Sequence, residues 1–211
     1  INTYHDMLGA KPDDAVAVAE LEELLQRHER WPDVRDVLER KAELMTGDDR
    51  VAVLEELATL VATRLEDPTS AVEIHHRILA ESPGHGRSFE ALEALLGEAE
   101  QWHELSELID NRLRQLVDQA GESEAAAAEY QARTLQLAEL FAERLGEAER
   151  ARAFLTTALA NEPNNVAVLL SMARVQDLTG ETEAMAETLN RAAGLNPEGE
   201  LGAELQVRLA S

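Results

Sequence analysis

The sequence predicts an all-α protein: an α-solenoid, or stack, of about five antiparallel helix pairs with a further short helix at each end. Two observations predict this fold class. Leu and Ala make up most of the apolar residues and Glu and Arg most of the charged ones, and all four are strong helix formers. Two-helix segments then recur along the chain, and no run of alternating β-branched residues indicates a strand.

The first recurring segment carries a tryptophan. Residues 21–44 and 92–116 align at an offset of 71 residues, which pairs Trp31 with Trp102. Both tryptophans fall at the start of the second helix of their pair. Because an indole buries a large area, we interpret them as core residues wedged between the helices of one hairpin. The alternative interpretation, in which they anchor a ligand, fits their regular recurrence less well.

A second type of segment alternates with the first. Residues 54–83 align with residues 134–163 at an offset of 80, which is nine residues longer than the first offset. The additional residues fall near the Ala-rich stretch that follows Gly121, and such a stretch favours helix. We therefore predict that they lengthen the two helices that flank this point. A last two-helix segment covers residues 166–197.

Residues at the helix ends help to place the elements. Asp67 followed by Pro68 indicates a helix start, since the carboxylate caps the first turn and the proline needs no amide partner there. Trp31 and Pro32 start a helix in the same way, and Gly180 suits a left-handed helix end. The predicted elements are a remnant helix at 2–8, hairpins that pair 13–29 with 32–46, 49–65 with 68–82, 86–99 with 102–119, 123–145 with 148–161 and 165–179 with 182–194, and a terminal helix at 199–210.

These segments resemble tetratricopeptide (TPR) repeats, helix–turn–helix units of about 34 residues with small residues where the helices cross and a proline after the second helix. Ala58, Ala71 and Pro83 match this pattern in one unit. The other matching residues are Ala138, Ala151, Ala158, Pro163, Ala173, Ala192 and Pro197. The resemblance implies a right-handed superhelix and a single TPR-like domain over 1–211. Its predicted repeats are 13–46, 49–83, 86–119, 123–163 and 165–197.

The tryptophan-bearing units depart from the family pattern. Where the family has small residues, they carry Glu22 and Glu93 in the first helix, and Lys41 and Arg112 in the second. We expect these helices to cross less closely. Each repeat hides its apolar face only by stacking on a neighbour, and the segment before Pro12 looks like the end of a second helix. We therefore expect the native protein to extend beyond at least the N-terminus.

The formal net charge of −23 bears on the kind of partner. Nucleic acid rewards Lys and Arg and is repelled by an acidic surface, so we expect no nucleic-acid partner. The charge fits a basic partner, a salty environment or solubility alone. The absence of Cys excludes structural disulfides and thiolate zinc sites, but it leaves the compartment open, and we favour the cytoplasm. No apolar stretch approaches the ~20 residues of a membrane span.

No grouping in the sequence predicts an active site. The nearest approach to the HExxH zinc motif ends in Glu107, where the second histidine would stand. His75 and His76 diverge by about 100° on a helix, so they do not share one metal easily. An alternative metal site would combine Glu73, His76 and His85. We predict no catalytic residues, no bound metal and no cofactor.

The family resemblance implies a concave face lined by the first helix of each pair. Projected onto this chain, the predicted partner-binding residues are Glu23, Arg27, Glu55, Thr59, Arg87, Glu90, Glu98, Glu139, Glu143, Arg174 and Asp177. This acidic surface suits a protein or peptide segment that carries Lys or Arg. Family members that clamp the C-terminal carboxylates of heat-shock chaperones use Lys and Asn, which are absent here, so we do not expect that role.

The functional hypothesis is a non-enzymatic scaffold for protein–protein interaction that binds a basic segment on an acidic concave surface. The alternative is a regulatory or sensor arm of a larger multidomain enzyme or transcription regulator. A metal-dependent enzyme that uses His76 and His85 is a further alternative. Self-association through the ends of the stack is also open, because those ends would expose apolar faces.

Overall fold

The computed structural model describes residues 15–120 and 123–195. Over these ranges the chain forms ten α-helices and no strand, which confirms the all-α fold class. The helices are α1 (Ala15–Arg27), α2 (Trp31–Leu44), α3 (Gly47–Thr63), α4 (Pro68–Glu81), α5 (Gly86–Glu98), α6 (Trp102–Ala120), α7 (Glu124–Glu139), α8 (Ala148–Asn161), α9 (Val166–Leu178) and α10 (Thr182–Leu195). A π-helical turn, Leu140–Arg144, continues α7.

The chain divides into two compact units, Ile1–Glu100 and Gln101–Ser211, which we call unit 1 and unit 2. Unit 1 contains α1 to α5, and unit 2 contains α6 to α10. Within each unit, consecutive helices contact each other, and in unit 2 α7 also contacts α9. Each unit is therefore a stack of helices joined by short turns, which is the solenoid arrangement. The single domain over 1–211, the right-handed superhelix and the pairing of α5 with α6 stay predictions.

Leucines and alanines form the core of each unit, as their spacing predicted. In unit 1, Leu21, Leu38 and Leu54 are fully buried in one continuous cluster that extends from α1 to α4. The predicted crossing residues Ala58 and Ala71 are buried in the same cluster. Alanine lets two helix backbones approach closely, so these positions fix how the helices of the α3–α4 pair cross.

The bounds of the later helices confirm the predicted offset of 80 residues. Helices α4 and α5 recur as α8 and α9, with every bound shifted by that offset. The nine additional residues lengthen the flanking helices, as predicted: α6 has 19 residues, whereas the equivalent α2 has 14. Helix α7 and its π-helical turn together are also longer than the equivalent α3. The two units thus share one framework and differ at the junction of α6 and α7.

The two tryptophans have matching surroundings. The Arg64 guanidinium lies 4.9 Å from the centre of the Trp31 ring, and the Arg144 guanidinium lies 5.0 Å from that of Trp102. Trp31 packs against the core of unit 1, but both rings are only half-buried. Each ring thus has an arginine near it, from the end of the helix that follows the hairpin or from the π-helical turn, and the prediction that the rings are wedged between the helices of one hairpin stays a prediction.

Three turns of unit 1 hold glutamate in the left-handed backbone region. Glu29, Glu66 and Glu100 have φ of 55°, 51° and 54°. At the equivalent of Glu66, unit 2 has Gly146, with φ of 67°. The predicted left-handed Gly180 is confirmed, with φ of 74°. The turns that end these helices thus share one backbone conformation, whether or not glycine occupies it.

The first predicted departure from the family pattern is a half-buried ionic cluster. Lys41 Nζ lies 3.1 Å from Glu22 Oε2 and 4.0 Å from Glu56 Oε2, so one ammonium joins α1, α2 and α3. Burial raises the pKa of the Glu56 carboxyl, and the nearby Glu22 carboxylate raises it further. An ion pair therefore occupies the crossing of α1 and α2, where the resembling family has small side chains.

The predicted helices at 2–8 and 199–210 lie outside the described residues. Asp67 caps α4 as predicted, because its Oδ1 accepts the Ser70 backbone N–H at 3.1 Å. Asn165 caps α9 by accepting the Val168 N–H at 3.2 Å. Within the two described ranges, no helix combines the length and apolar character needed to cross a bilayer.

Candidate functional site

Three of the predicted partner-binding residues lie close together in unit 2, on α7 with its π-helical turn and on α9, which are the first helices of two successive pairs. Arg174 on α9 places one guanidinium nitrogen 2.5 Å from Glu143 Oε1 and another 3.9 Å from Glu139 Oε1. Arg174 and Glu139 keep 63% and 59% of their side-chain surface exposed, while Glu143 keeps 26%. Glu143 is therefore the arginine's main partner, and Glu139 stays largely available to solvent.

Small residues make a shallow depression beside these charges. Its empty volume, open solvent included, is about 280 Å³, and it is lined by Ala138, Glu139, Ala142, Glu143, Ser171, Arg174 and Val175. We call these residues the Arg174 surface. The π-helical turn helps to shape it: the Leu145 N–H bonds the Leu140 carbonyl at 3.1 Å, so the turn that carries Ala142 and Glu143 is wider than an α-helical turn.

The Arg174 surface keeps a net negative charge. Asp177 follows Arg174 by one turn on α9 and is exposed. Glu139 and Glu143 bring two carboxylates to one guanidinium, and Asp177 adds a third negative charge on the same helix as Arg174. Such a surface attracts cations over a distance of about a Debye length, and its small residues can accept an apolar side chain. The arrangement suits a segment that carries both charge and apolar side chains.

The predicted residues of unit 1 are mostly exposed, and several pair within their own helix. Glu23 and Arg27 form an i,i+4 pair at 2.5 Å on α1. The Thr59 hydroxyl donates to the Glu55 carbonyl at 2.9 Å. Arg87 stands 3.8 Å from Glu55 and is 88% exposed. Glu90 and Glu98 are exposed on α5.

A buried polar cluster lies between α4 and α5 and was not predicted. The Ser88 side chain is fully buried, and its Oγ lies 3.1 Å from His75 Nδ1 and 3.0 Å from His85 Nδ1. His85 Nδ1 also accepts the Ser88 backbone N–H at 3.3 Å, which caps α5. Because Nδ1 accepts this bond, we assign a proton of His85 to Nε2, which donates to Glu55 Oε1 at 3.3 Å.

The electrostatics of this cluster favour an uncharged His75 ring. Burial lowers the pKa of His75, and the neighbouring His85 lowers it further, against the opposing effect of Glu55. Of the two adjacent histidines, His75 makes the contact with Ser88. The alternative metal site of Glu73, His76 and His85 does not form, because no group of three His, Asp or Glu side chains in the described residues could hold a metal ion.

Comparison with known proteins places the fold. No family model matches the sequence, and no curated protein matches it. The TPR-like repeats of a predicted kinesin light chain from Podosopora anserina are 17% identical, with a TM-score of 0.52, over 87% of this chain and 95% of that one. The chain is also similar to YrrB, described as a TPR protein with an unusual peptide-binding site, at 13% identity and a TM-score of 0.47, over 96% of this chain and 97% of that one. The chain has a TPR-type repeat fold.

Proposed function

We propose that this chain is a non-enzymatic scaffold that holds another protein, and that it binds a basic segment on the first helices of its repeats. The observation that carries the proposal is the Arg174 surface, where Glu139 and Glu143 flank one arginine beside a small-residue depression, with the exposed Asp177 on the same helix as the arginine. The peptide-binding site of YrrB, a TPR protein to which this chain is similar, agrees with this use of the fold.

Recognition would combine charge and packing. Glu143 already pairs with Arg174, so a lysine or arginine of the partner would meet the more exposed Glu139 and Asp177. An apolar side chain one or two positions away would enter the depression beside Ala138 and Ala142. The exposed charges would speed the encounter and lose their effect as salt rises, while the packing would resist salt.

The grouping that most resembles a catalytic arrangement is better explained as structural. Ser88, His85 and Glu55 stand in a line that resembles a hydrolase triad. Ser88 is fully buried, however, and two imidazole rings contact its hydroxyl. A substrate therefore has no access to this oxygen. We propose that the cluster joins α3, α4 and α5 and caps α5.

Selection of peptides from a random displayed library tests the proposed function. We expect the selected peptides to be rich in Lys and Arg, and to bind the purified chain more weakly in 300 mM than in 50 mM salt. The double variant Glu139→Gln/Asp177→Asn preserves the Arg174–Glu143 pair. It should weaken peptide binding about threefold to tenfold at low salt, the effect of losing two exposed ion pairs.

A matched control removes the same charge from a second helix. Glu183 and Glu187 are exposed on α10, and Glu183→Gln/Glu187→Gln should leave peptide affinity unchanged. Fluorescence anisotropy with labelled peptides measures both variants. The proposal fails if no peptide is selected, or if the two double variants weaken binding equally, since that result would reflect net charge alone.

A further inference from the structure

A second depression opens in unit 2 where α7, the end of α8 and the start of α9 meet. It is a shallow depression whose empty volume, open solvent included, is about 310 Å³. Tyr130, Thr134 and Ala158 form one side, and Gln131, Glu162 and Asn165 supply polar groups. We call this depression the Tyr130 pocket. None of its residues belongs to the Arg174 surface.

A ladder of hydrogen bonds fixes the polar side of the pocket. Gln131 Nε2 donates to Asn165 Oδ1 at 3.2 Å, and Asn165 Nδ2 donates to Glu162 Oε2 at 2.7 Å. Asn165 is held in place because its Oδ1 also caps α9 through the Val168 N–H. In this ladder, the Gln131 and Asn165 amide groups each use a hydrogen to bond the next side chain. It presents acceptors, the Gln131 Oε1 and the Glu162 carboxylate, to a ligand that donates.

The equivalent place in unit 1 is filled by larger side chains. At the offset of 80 residues that relates α4 to α8 and α5 to α9, unit 1 has Leu54 where unit 2 has Thr134, and Ile78 where unit 2 has Ala158. Leu54 and Ile78 are fully buried. The same framework therefore leaves a space in unit 2 because its side chains are shorter.

Unit 1 also shows which chemical group this place accepts. Arg50 stands at the equivalent of Tyr130, and its Nη1 lies 2.7 Å from Glu81 Oε1, at the equivalent of Asn161. An arginine of the chain itself therefore pairs with a carboxylate here. In unit 2 the arginine is absent, and a carboxylate stands one residue further along, at Glu162.

The neighbouring arginine of unit 2, Arg191, binds a backbone carbonyl and not the Glu162 carboxylate. Arg191 reaches this loop from α10, but its guanidinium donates to the Pro163 carbonyl. The Glu162 carboxylate and the hydrogen-bonded ladder can therefore meet a guanidinium that belongs to another molecule. The Tyr130 ring and the Ala158 methyl group offer an apolar wall to the alkyl chain that carries it.

We propose that the Tyr130 pocket binds an arginine side chain of the protein that this scaffold holds. The guanidinium would donate to the Glu162 carboxylate and to Gln131 Oε1, as Arg50 donates to Glu81 in unit 1. The proposal rests on the proposed function in one respect, since the arginine belongs to the bound protein. The pocket itself is tested with a small probe and no partner.

Titration of the ¹⁵N-labelled chain with N-acetyl-arginine amide, followed by amide chemical shifts, tests the pocket. We expect saturable shifts at Ala158, Asn165 and Val168, and none at the unit 1 equivalents Ile78, His85 and Ser88. N-acetyl-citrulline amide has nearly the same shape but a neutral urea head group. It should bind about tenfold more weakly, the factor expected for one lost charge-assisted hydrogen bond.

Two variants separate the pocket from general electrostatics. Thr134→Leu/Ala158→Ile copies the side chains of unit 1 and should abolish the saturable shifts. Glu162→Gln changes an exposed residue, is expected to fold normally, and should weaken arginine binding without affecting citrulline. Glu187→Gln is the charge-matched control and should change neither.

The proposal is overturned if citrulline binds as tightly as arginine, or if Glu162→Gln binds arginine as the wild type does. Retention of the saturable shifts in a folded Thr134→Leu/Ala158→Ile protein would also overturn it. These outcomes leave the peptide measurements on Glu139 and Asp177 unaffected. Failure of the pocket and failure of the proposed function are therefore distinguishable.

Discussion

Glycine at position 66 should stabilise unit 1. Glu66 ends the turn between α3 and α4 with φ of 51°, and its side chain is exposed, so replacing it removes no packing. A left-handed backbone costs an L-residue about 1–2 kcal/mol. Glycine avoids this cost but loses about 0.5–1 kcal/mol more conformational freedom on folding. The net gain for Glu66→Gly is therefore about 0–1.5 kcal/mol, with a midpoint near 0.75 kcal/mol.

The same turn in unit 2 shows that glycine fits this backbone. In unit 1, Leu65 N–H bonds Leu60 O at 3.3 Å and Asp67 N–H bonds Val61 O at 3.2 Å. In unit 2, the two equivalent bonds around Gly146 measure 3.1 Å and 2.7 Å. A Cβ added to Gly146 would meet no atom within 4 Å. Gly146→Ala should therefore lose about 1 kcal/mol through backbone strain alone.

Urea denaturation followed by tryptophan fluorescence measures both changes. In a Trp102→Phe background, emission reports Trp31 and therefore unit 1. In a Trp31→Phe background, it reports unit 2. Glu66→Gln is the control, because it removes the charge near the end of α3 and keeps the backbone cost. The reasoning is refuted if Glu66→Gly is no more stable than Glu66→Gln, or if Gly146→Ala unfolds at the same urea concentration as its parent.

Three further changes test other contacts of unit 1, all by urea denaturation. Arg64→Gln removes the guanidinium above Trp31 and should lower the free energy of unfolding by about 0.5–1 kcal/mol, whereas the same change at the exposed Arg87 should not. Asp67→Ala removes the cap of α4 and should destabilise the unit. Because the hydrogen bonds to Ser70 lower the pKa of Asp67 below 3.8, the cap contributes fully above that pH, and the wild type and variant should converge as pH falls through the folded pKa. Glu56→Gln should stabilise the unit at pH 7. The pKa of Glu56 is raised above 4.5, so the wild type gains stability as pH falls from neutral towards 4.5, and the advantage of the variant should shrink over that range.

The sequence predicted those parts of the fold that depend on periodic apolar residues. Ala58 and Ala71 lie at a helix crossing, and the offset between α4 and α8 holds at both ends of each helix. The left-handed glutamates could not be predicted in this way. Glutamate favours helix, and Glu66 adopts its conformation because the helices on either side fix the turn between them.

The candidate sites were predictable to different degrees. The helical spacing placed Glu139 and Glu143 on one face, but their contact with Arg174 depends on how α7 packs against α9. The contact of His75 with Ser88 depends likewise on the rotation of α4 about its axis. The Tyr130 pocket differs, because the change from Ile78 to Ala158 is visible in the aligned repeats. A comparison of the aligned repeats, looking for positions where one repeat has a small side chain and the other a large one, would have found the pocket.

The restriction of most helix contacts to neighbours along the chain has a kinetic consequence. Within each unit, helices touch the one before and the one after, apart from the additional contact of α7 with α9. Forming such contacts closes only short loops, so little chain entropy is lost before the first pair is stable. Helical proteins with contacts this local fold in about microseconds to milliseconds. Any helix pair can then start the process, and its neighbours can add in either direction.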